Sequence, residues 1–286
     1  MAIEAINDEG AGTVALGDLV VRRVGFGTMR ITGDGVWGEP ADREGALAVL
    51  RRAVELGVNL IDTADSYGPA VSEELIAAAL RPYPDDLVIA TKGGFTRPGP
   101  GKWVPNGRPD YLREVCERSL RRLQVDQIDL YQLHVPDSDV PYEESIGALK
   151  DLQDEGKVRQ IGVSNVSLDQ LAAARGIVTV VSVQNRFNLG DRASADVLEA
   201  CQVDNLAFIP WFPLNAGALA EPGGVAAEIA GHHGVTPAQV ALAWLLGLPA
   251  TLPIPGTSSV THLEENLAAA SLQLSGDEVA ELNDAV

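Results

Sequence analysis

The amino-acid sequence predicts an α/β fold, a single (β/α)8 TIM barrel that begins with an N-terminal β-hairpin. Short apolar segments alternate with amphipathic segments along the chain, as in parallel strands that are joined by helices. Eight apolar segments have the length of barrel strands, and eight strand–helix units close into a barrel. A length of 286 residues suits such a barrel. We therefore expect residues 1–286 to form one domain.

The predicted strands are apolar segments that end at polar residues. A hairpin comes first, with strands at residues 13–16 and 19–21 and a turn at Gly17 and Asp18. The eight barrel strands follow at residues 24–28, 59–63, 87–92, 129–134, 160–164, 180–185, 207–211 and 251–254. Residues 97–108 are rich in proline and glycine and form the one long irregular insertion. Because they follow the third strand, we expect them to overhang the rim at which the strands end.

Amphipathic periodicity and capping signals predict the helices between these strands. In residues 43–56, apolar side chains recur with a period near 3.6 residues. Ser167, Thr236 and Ser275 each precede a Gln or Glu by three residues, which is the pattern of a capping box at a helix start. Helices are expected at residues 43–56, 72–80, 109–123, 142–155, 168–175, 193–201 and 238–246, with further helices after Ser259 and Ser275.

Composition and charge exclude several classes of protein. The formal net charge of −19 argues against a nucleic-acid partner, since phosphate neutralisation requires clustered lysine and arginine. No apolar segment reaches the ~20 residues that cross a bilayer, and the acidic residues 1–12 lack the apolar core of a signal peptide. Cys116 and Cys201 have neither a paired nor a metal-ligand spacing. We expect a cytoplasmic protein with no membrane partner and no bound metal.

Four residues that suit proton chemistry stand at or just beyond the ends of predicted strands. Asp62 and Tyr67 follow the second strand, Lys92 ends the third and His134 ends the fourth. Because barrel strands all end at one rim, we expect these side chains to form one site. Lys92 is one of four lysines in a chain with seventeen arginines, which favours a specific need for a compact point charge.

These residues suit the protonation of a carbonyl oxygen. A tyrosine with a pKa near 10 is a weak acid at neutral pH, and the Lys92 ammonium is expected to lower the pKa of Tyr67. Asp62 would hold Lys92 charged and oriented, while His134 would bind the substrate oxygen. Taken singly, Asp62 could cap a strand and His134 could be structural, but four such residues in order at strand ends favour catalysis.

The chain resembles the aldo-keto reductases from residue 20 to residue 283. The resemblance rests on residues 57–64 (GVNLIDTA), 161–165 (IGVSN) and 254–257 (IPGT), which are spread over the whole predicted barrel. It implies an NADPH-dependent reduction of an aldehyde or ketone to an alcohol. It also implies that Tyr67 is the general acid, that Lys92 and Asp62 tune it, and that His134 orients the carbonyl.

The same resemblance implies a site for a nicotinamide cofactor. Of a Gly-x-Gly-x-x-Gly turn, only Gly25 and Gly27 are present, so this turn does not carry the prediction. The nicotinamide carboxamide is expected between Ser164, Asn165 and Gln184, with Trp211 stacked on the ring. The other cofactor contacts that the resemblance implies are Thr28, Met29, Leu214, Gly217, Gly256, Thr257, Ser258, His262, Glu265 and Asn266.

One departure from the family concerns the 2′-phosphate of NADPH. Many relatives place lysine and arginine there, whereas this chain has Gly256 and His262. Thr257, Ser258 and the helix that starts after Ser259 can still bind phosphate through hydroxyl and backbone N–H groups. NADPH is the preferred expectation, and NADH stays an alternative.

The expected partner is a small carbonyl substrate. Trp37, Phe95, Trp103 and Phe212 lie on predicted rim loops and are candidates to line an aromatic pocket. Residues 211–214 and 252–260 resemble a bacterial branch that includes pyridoxal reductases, so pyridoxal is a candidate substrate. Two other functions stay open: a regulatory subunit that binds cofactor with little or no turnover, and an aldolase that forms a Schiff base at Lys92.

Overall fold

The computed structural model describes residue 6, residues 12–214 and residues 224–285. The strands are β1 (Thr13–Leu16), β2 (Leu19–Arg22), β3 (Phe26–Gly27), β4 (Leu60–Asp62), β5 (Val88–Gly93), β6 (Phe95–Gly99), β7 (Lys102–Pro105), β8 (Ile128–Leu133), β9 (Val158–Ser164), β10 (Val180–Gln184) and β11 (Ala207–Phe208). Seven of them form one sheet in the order β3, β4, β5, β8, β9, β10, β11. Every pair of neighbours in this sheet is parallel.

Residues 250–253 close this sheet into a barrel. Phe208 of β11 forms a parallel bridge with Thr251, and the Leu252 amide donates to the Phe208 carbonyl over 2.8 Å. On the other side, the amide of Gly25, next to β3, donates to the carbonyl of Pro253 over 3.0 Å. The predicted eighth strand is therefore present as a single bridge. Prolines at positions 253 and 255 have no N–H group to extend the ladder.

Helices surround the sheet at the positions that the periodicity predicts. Those formed by the described residues are α1 (Arg43–Glu55), α2 (Val71–Leu80), α3 (Pro109–Leu123), α4 (Tyr142–Asp154), α5 (Leu168–Arg175), α6 (Ala195–Asp204), α7 (Val225–His233), α8 (Pro237–Gly247), α9 (Val260–Ala268) and α10 (Gly276–Asp284). The three predicted capping boxes, at Ser167, Thr236 and Ser275, are confirmed. Within the described ranges, no helix is both long enough and apolar enough to cross a membrane.

The N-terminal hairpin of β1 and β2 closes the end of the barrel at which the strands begin. Leu16 and Val21 of the hairpin share a buried cluster with Leu60 of β4 and Leu130 of β8. The hairpin is held there by Asn59, which directly precedes β4. Its side chain accepts from the Arg22 amide at 2.8 Å and donates to the Val20 carbonyl at 3.2 Å. The outer faces of the strands pack against the helices in two further clusters.

Two predictions about strands are wrong in detail. Residues 97–108 are not an irregular insertion, because β6 and β7 form an antiparallel hairpin that pairs Thr96 with Val104. Gly101, with a φ of +67°, lies in its turn, and a two-stranded ribbon tolerates proline because its outer N–H groups need no partner strand. The strands predicted at residues 24–28 and 207–211 are shortened to two residues each, β3 and β11. Pro210 lacks the N–H group that would lengthen β11.

Candidate active site

Strand alternation places polar side chains at one end of the barrel. Successive side chains of a strand point to opposite faces, so the inward positions of β5 run from Val88 and Ala90 to Lys92. In β4 they run from Leu60 to Asp62. Apolar side chains therefore fill the barrel where the strands begin, and ionisable groups enter it where the strands end.

Lys92 and Asp62 form a buried ion pair at this end. The Lys92 Nζ lies 2.5 Å from Asp62 Oδ1 and donates to the Thr63 carbonyl over 2.8 Å. Gln184 and Gln132 donate to the second carboxylate oxygen at 2.8 and 3.3 Å. Burial lowers the pKa of Lys92, whereas the charge and hydrogen bond of Asp62 oppose that shift. These contacts offset the cost of burying two charges.

Tyr67 lies beside this pair, in the loop that follows β4. The Lys92 Nζ is 5.4 Å from the centroid of the Tyr67 ring. Burial raises the pKa of Tyr67, the Asp62 carboxylate raises it further, and the Arg97 guanidinium lowers it. The prediction that Lys92 lowers this pKa is wrong in its net direction, because Asp62 neutralises the lysine and the phenol is buried. Tyr67 is thus a neutral phenol that keeps its proton until a stronger base forms beside it.

His134 directly follows β8 and meets Tyr67 at the same end of the barrel. The two ring centroids are 5.9 Å apart in an edge-to-face arrangement, and His134 Nδ1 lies 3.5 Å from Ser66 Oγ. Burial holds the pKa of His134 well below its ordinary value, and the positive charges of Lys92 and Arg97 lower it further. The imidazole is therefore neutral, and one of its nitrogens can donate a hydrogen bond to a substrate oxygen.

The hairpin of β6 and β7 covers these two groups with aromatic rings. The Phe95 ring lies 4.7 Å from the His134 ring, and the Trp103 ring lies 6.2 Å from the Tyr67 ring, both edge to face. Phe95, Trp103, Tyr67 and His134 all line one cavity. The hairpin therefore overhangs the active rim, as predicted for this segment.

The other two aromatic candidates differ in position. Phe212 lines the cavity beside Trp211, with ring centroids 5.9 Å apart. Trp37 is not among the lining residues, and its ring lies 5.6 Å from the Arg97 guanidinium carbon. Arg97 is a site residue that the sequence analysis missed, because it stands in a hairpin and not at the end of a barrel strand.

The cavity has a volume of about 1140 Å³ and continues as a groove along the rim. It brings together thirteen of the fourteen residues predicted to contact a cofactor: Thr28, Met29, Ser164, Asn165, Gln184, Trp211, Leu214, Gly256, Thr257, Ser258, His262, Glu265 and Asn266. The fourteenth, Gly217, lies outside the described residues.

A chain of hydrogen bonds links the ion pair to the indole of Trp211. Gln184, which contacts Asp62, accepts at its backbone carbonyl from Ser164 Oγ over 2.7 Å. Asn165 Nδ2 lies 3.0 Å from Ser164 Oγ, and the Trp211 Nε1 donates to Asn165 Oδ1 over 3.0 Å. Asn165 has a φ of +58°, a left-handed conformation that asparagine tolerates better than most residues. Amide and hydroxyl groups thus border the cavity next to Tyr67 and can bind a carboxamide.

At the other end of the groove, two backbone segments approach each other closely, and the groups around them suit an anion. A Cβ atom on Gly27 would lie 2.6 Å from the Ile254 carbonyl oxygen, so the two segments approach this closely only with glycine. Arg30 lines this end near Gly256 and is a cation that the sequence analysis did not single out. The N-terminus of α9, capped by Ser259, lies next to it and adds unpaired backbone N–H groups.

These features fit a nicotinamide dinucleotide. Polar groups that can hold a carboxamide lie beside Tyr67, an indole borders the groove, and a cation with a helix N-terminus stands at the far end. A dinucleotide has the same order of chemical groups, from the amide of its nicotinamide to the phosphates of its backbone and ribose.

Relatives in sequence agree with this arrangement. The sequence model of the aldo/keto reductase family matches residues 23–286. A *Schizosaccharomyces pombe* protein named as an uncharacterized oxidoreductase is 49% identical over 99% of this chain and 92% of its own length. Pyridoxine 4-dehydrogenase of *Escherichia coli* is 44% identical over 96% of this chain and 98% of its own length.

A solved structure shows the same architecture. The aldo/keto reductase from *Klebsiella pneumoniae*, in complex with NADP and acetate, superposes with a TM-score of 0.83 at 32% identity. The match covers 95% of this chain and 94% of that chain. With a family match over nearly the whole chain and two closely related oxidoreductases, this chain belongs to the aldo/keto reductase family and is an NAD(P)H-dependent oxidoreductase.

Proposed function

We propose that this chain is an NADPH-dependent carbonyl reductase that converts an aldehyde or ketone into an alcohol. One observation carries the proposal. A neutral phenol, Tyr67, and a neutral imidazole, His134, line one cavity beside the buried Lys92–Asp62 ion pair. Two neutral donors that meet in a cavity can both bind a carbonyl oxygen, and one of them can then transfer its proton.

Tyr67 is proposed to give the proton. A nicotinamide held near Ser164, Asn165 and Gln184 would supply a hydride for the carbonyl carbon, and negative charge would then form on the carbonyl oxygen. An alkoxide is more basic than a phenolate, so the Tyr67 proton moves to this oxygen even though burial raises the pKa of the phenol. His134 donates a hydrogen bond to the same oxygen and so orients it.

NADPH is the proposed cofactor, with its nicotinamide near Ser164, Asn165 and Gln184 and its phosphates toward Arg30. The *Klebsiella pneumoniae* relative was solved with NADP, which supports this choice. In this chain, Arg30 and the N-terminus of α9 supply positive charge and N–H donors at the far end of the groove.

The proposed substrates are aromatic or heteroaromatic aldehydes, with pyridoxal among the candidates. Phe95 and Trp103 line the cavity close to the phenol and imidazole, Phe212 lines it beside Trp211, and flat rings stack well on such walls. The relative from *Escherichia coli* is named pyridoxine 4-dehydrogenase, which supports pyridoxal as the first compound to test.

The aldolase alternative is less consistent with the contacts of Lys92. The side chain is fully buried, is paired with Asp62 and Thr63, and does not line the cavity, so a substrate carbonyl has no direct access to it. A regulatory subunit would need no such proton apparatus, and turnover separates that alternative from an enzyme.

The experiment is a screen of NADPH oxidation by the purified 286-residue chain over pyridoxal, benzaldehyde, aliphatic ketones and quinones. We expect turnover with at least one aldehyde and formation of the corresponding alcohol in equal amount. NADPH binding without turnover on any carbonyl compound would indicate the regulatory subunit. Trapping of a substrate on Lys92 by borohydride, without any need for NADPH, would indicate the aldolase.

A further inference from the structure

We propose that Arg97 is a positioning residue for Tyr67, which ties the Tyr67 loop to the β6–β7 hairpin and supplies the unpaired positive charge that stabilises the Tyr67 phenolate during proton transfer. The inference rests on the proposed role of Tyr67 as the acid. It assigns to Arg97 an electrostatic effect that the sequence analysis assigned to Lys92.

The Arg97 guanidinium joins three segments of the rim. Its Nη1 donates to the carbonyl of Ser66, the residue before Tyr67, over 2.8 Å. Its Nη2 donates to the Gly35 carbonyl over 3.1 Å, and its Nε donates to the Lys102 carbonyl over 2.9 Å. One side chain thus fixes the loop that carries the acid against the hairpin that covers it.

The positive charge of Arg97 lies against the loop that carries Tyr67 and has no carboxylate partner among the described residues. Its Cζ is 3.6 Å from the centroid of the Trp103 ring, and that ring is 6.2 Å from the Tyr67 ring. The three acceptors of Arg97 are carbonyl oxygens, which carry no net charge. Over the described parts of the chain, no Asp or Glu forms an ion pair with this guanidinium.

Among the described residues, the other charged or titratable groups around Tyr67 are Asp62, Lys92, His134 and, two residues earlier in the same loop, Asp65. Asp62 and Lys92 are in contact at 2.5 Å, and of the two the Asp62 carboxylate raises the pKa of Tyr67. His134 is neutral, because burial and two nearby cations hold its pKa low. Among the described residues, Arg97 is the cation that lowers the pKa of Tyr67, and it does so against burial and the Asp62 carboxylate.

The charge acts on the transition state and not on binding of the neutral substrate. During reduction, Tyr67 becomes a phenolate as its proton leaves, and a nearby cation stabilises that product. During the reverse oxidation of an alcohol, the phenolate is the base, so the same cation lets it form at lower pH. Because Arg97 is partly exposed, solvent screens this effect to a moderate size.

The experiment compares Arg97→Met and Arg97→Lys, with Arg192→Met as the matched control. Arg192 also lies on a tryptophan, 4.9 Å from the Trp244 ring, and its guanidinium donates to the carbonyls of Leu282 and Asn283. The groups that shift the pKa of Tyr67 are Asp62 and Arg97, in addition to burial, and Arg192 is not one of them. The readouts are kcat and KM for aldehyde reduction, and the pH profile of alcohol oxidation with NADP⁺.

For Arg97→Met, we expect the rising limb of alcohol oxidation against pH to shift to a pH about one unit higher. At neutral pH, kcat for reduction should fall by roughly 3- to 10-fold, with a smaller change in KM. Arg97→Lys keeps the charge and should move the limb by less than half as much. Arg192→Met should leave the limb at its wild-type position, whatever it does to stability.

Two other outcomes contradict different parts of the account. In the first, wild type is active, Tyr67→Phe is not, and both Arg97 variants lose activity to the same extent while the rising limb of alcohol oxidation stays at its wild-type pH. The role of Arg97 is then structural, and the inference is wrong. If wild type catalyses neither direction with any compound of the panel, the proposed function fails, and the inference fails with it.

Discussion

Lys92 lies in the active site as one partner of an ion pair, so replacing it should lower both the activity and the folding stability. Its ammonium is in contact with Asp62 at 2.5 Å, and both side chains are buried. We expect Lys92→Met to lose activity by a factor of ~10² or more. We also expect it to lose about 3–5 kcal/mol of folding free energy, because the Asp62 carboxylate stays buried without its cation. Steady-state kinetics and thermal unfolding measure the two losses.

A second substitution separates these losses. Asp62→Asn in the Lys92→Met background removes the uncompensated charge, so it should restore much of the stability and none of the activity. Combining Lys92→Met with Tyr67→Phe should cost little more activity than either change alone, since residues that act as one unit are strongly non-additive. Fully multiplicative losses in that double variant would show that the two residues act independently.

Asp65 is a further buried carboxyl group, in the loop that joins β4 to Tyr67. Its amide donates to the Lys92 carbonyl over 3.2 Å, and its Oδ1 has no hydrogen-bond partner among the described residues. Burial raises the pKa of Asp65 to about 8, the nearby Glu73 adds to the rise, and Arg122 and Arg118 oppose it. This group therefore titrates in the folded protein close to neutral pH.

The raised pKa of Asp65 predicts a pH-dependent stability. The folded-state pKa lies above the unfolded value of about 3.9, so the folded state binds the proton more tightly. Its contribution to stability is full at low pH and is lost as the pH rises through about 8. Relative to Asp65→Asn, wild type should lose on the order of 2–4 kcal/mol between about pH 5 and pH 8. Unfolding curves with equal pH dependence for the two proteins would contradict this assignment.

At the scale of secondary-structure elements, two glycines let the first and last segments of the barrel meet. A Cβ on Gly27 would lie 2.6 Å from the Ile254 carbonyl oxygen, and a Cβ on Gly256 would lie 2.5 Å from the Gly27 carbonyl oxygen. We expect Gly27→Ala and Gly256→Ala to destabilise the fold by roughly 1–3 kcal/mol and to weaken cofactor binding, because backbone must move to admit the methyl group.

A matched control for these variants is Gly147→Ala in α4. No heavy atom of another group lies within 4 Å of a Cβ at this position, and alanine favours a helix by about 0.5–1 kcal/mol over glycine. Denaturant unfolding and fluorescence titration with NADPH should therefore show a stable protein with unchanged affinity. If Gly27→Ala behaves like this control, the barrel closure is looser than the contacts indicate.

Periodicity predicts elements well where local sequence alone determines them. The ranges of α3 (Pro109–Leu123) and α5 (Leu168–Arg175) agree with the prediction, because a proline opens the first turn of α3 and the Ser167 capping box opens α5. The β6–β7 hairpin was not predicted, because a segment rich in proline resembles an irregular loop unless the strand that pairs with it is known. The eighth strand survives only as a bridge at Thr251, for which the flanking prolines are the physical reason.

In the candidate site too, the sequence predicts some residues, and others are found only from the three-dimensional structure. Strand ends predict that Asp62, Tyr67, Lys92 and His134 meet, because every strand of a parallel barrel ends at one rim. Arg97 and Gln132 could not be singled out this way. The position of Arg97 depends on a hairpin folding back over the rim, and the contact of Gln132 with Asp62 depends on which strand face is inward.

At the scale of the whole molecule, the net charge of −19 opposes the binding of an additional phosphate at long range. Any preference for NADPH over NADH must therefore come from nearby groups such as Arg30, Thr257, Ser258 and His262, which line the far end of the groove. We expect NADPH to bind more tightly by a factor of roughly ten, or about 1.4 kcal/mol. The single domain and the cytoplasmic location stay predictions at this scale.

Fluorescence titration measures this preference, with the quenching of Trp211 as the signal. His262→Ala and Arg30→Ala should each weaken NADPH binding, and Arg192→Met, whose side chain lies on Trp244 and does not line the groove, should not. Equal dissociation constants for NADPH and NADH in wild type would contradict the placement of the 2′-phosphate. If NADPH still binds more tightly than NADH after both substitutions, the hydroxyl and backbone N–H donors alone account for the preference.

The central claim is that Tyr67 gives its proton to the substrate oxygen, and Tyr67→Phe tests it most directly. The phenol is buried, and its hydroxyl forms no hydrogen bond with the described residues, so the substitution leaves no partner unpaired. The measurement is kcat for reduction of the best aldehyde together with the dissociation constant for NADPH. We predict a loss of ~10²–10⁴-fold in kcat with an almost unchanged dissociation constant. A variant that keeps more than half of the wild-type kcat would contradict the claim.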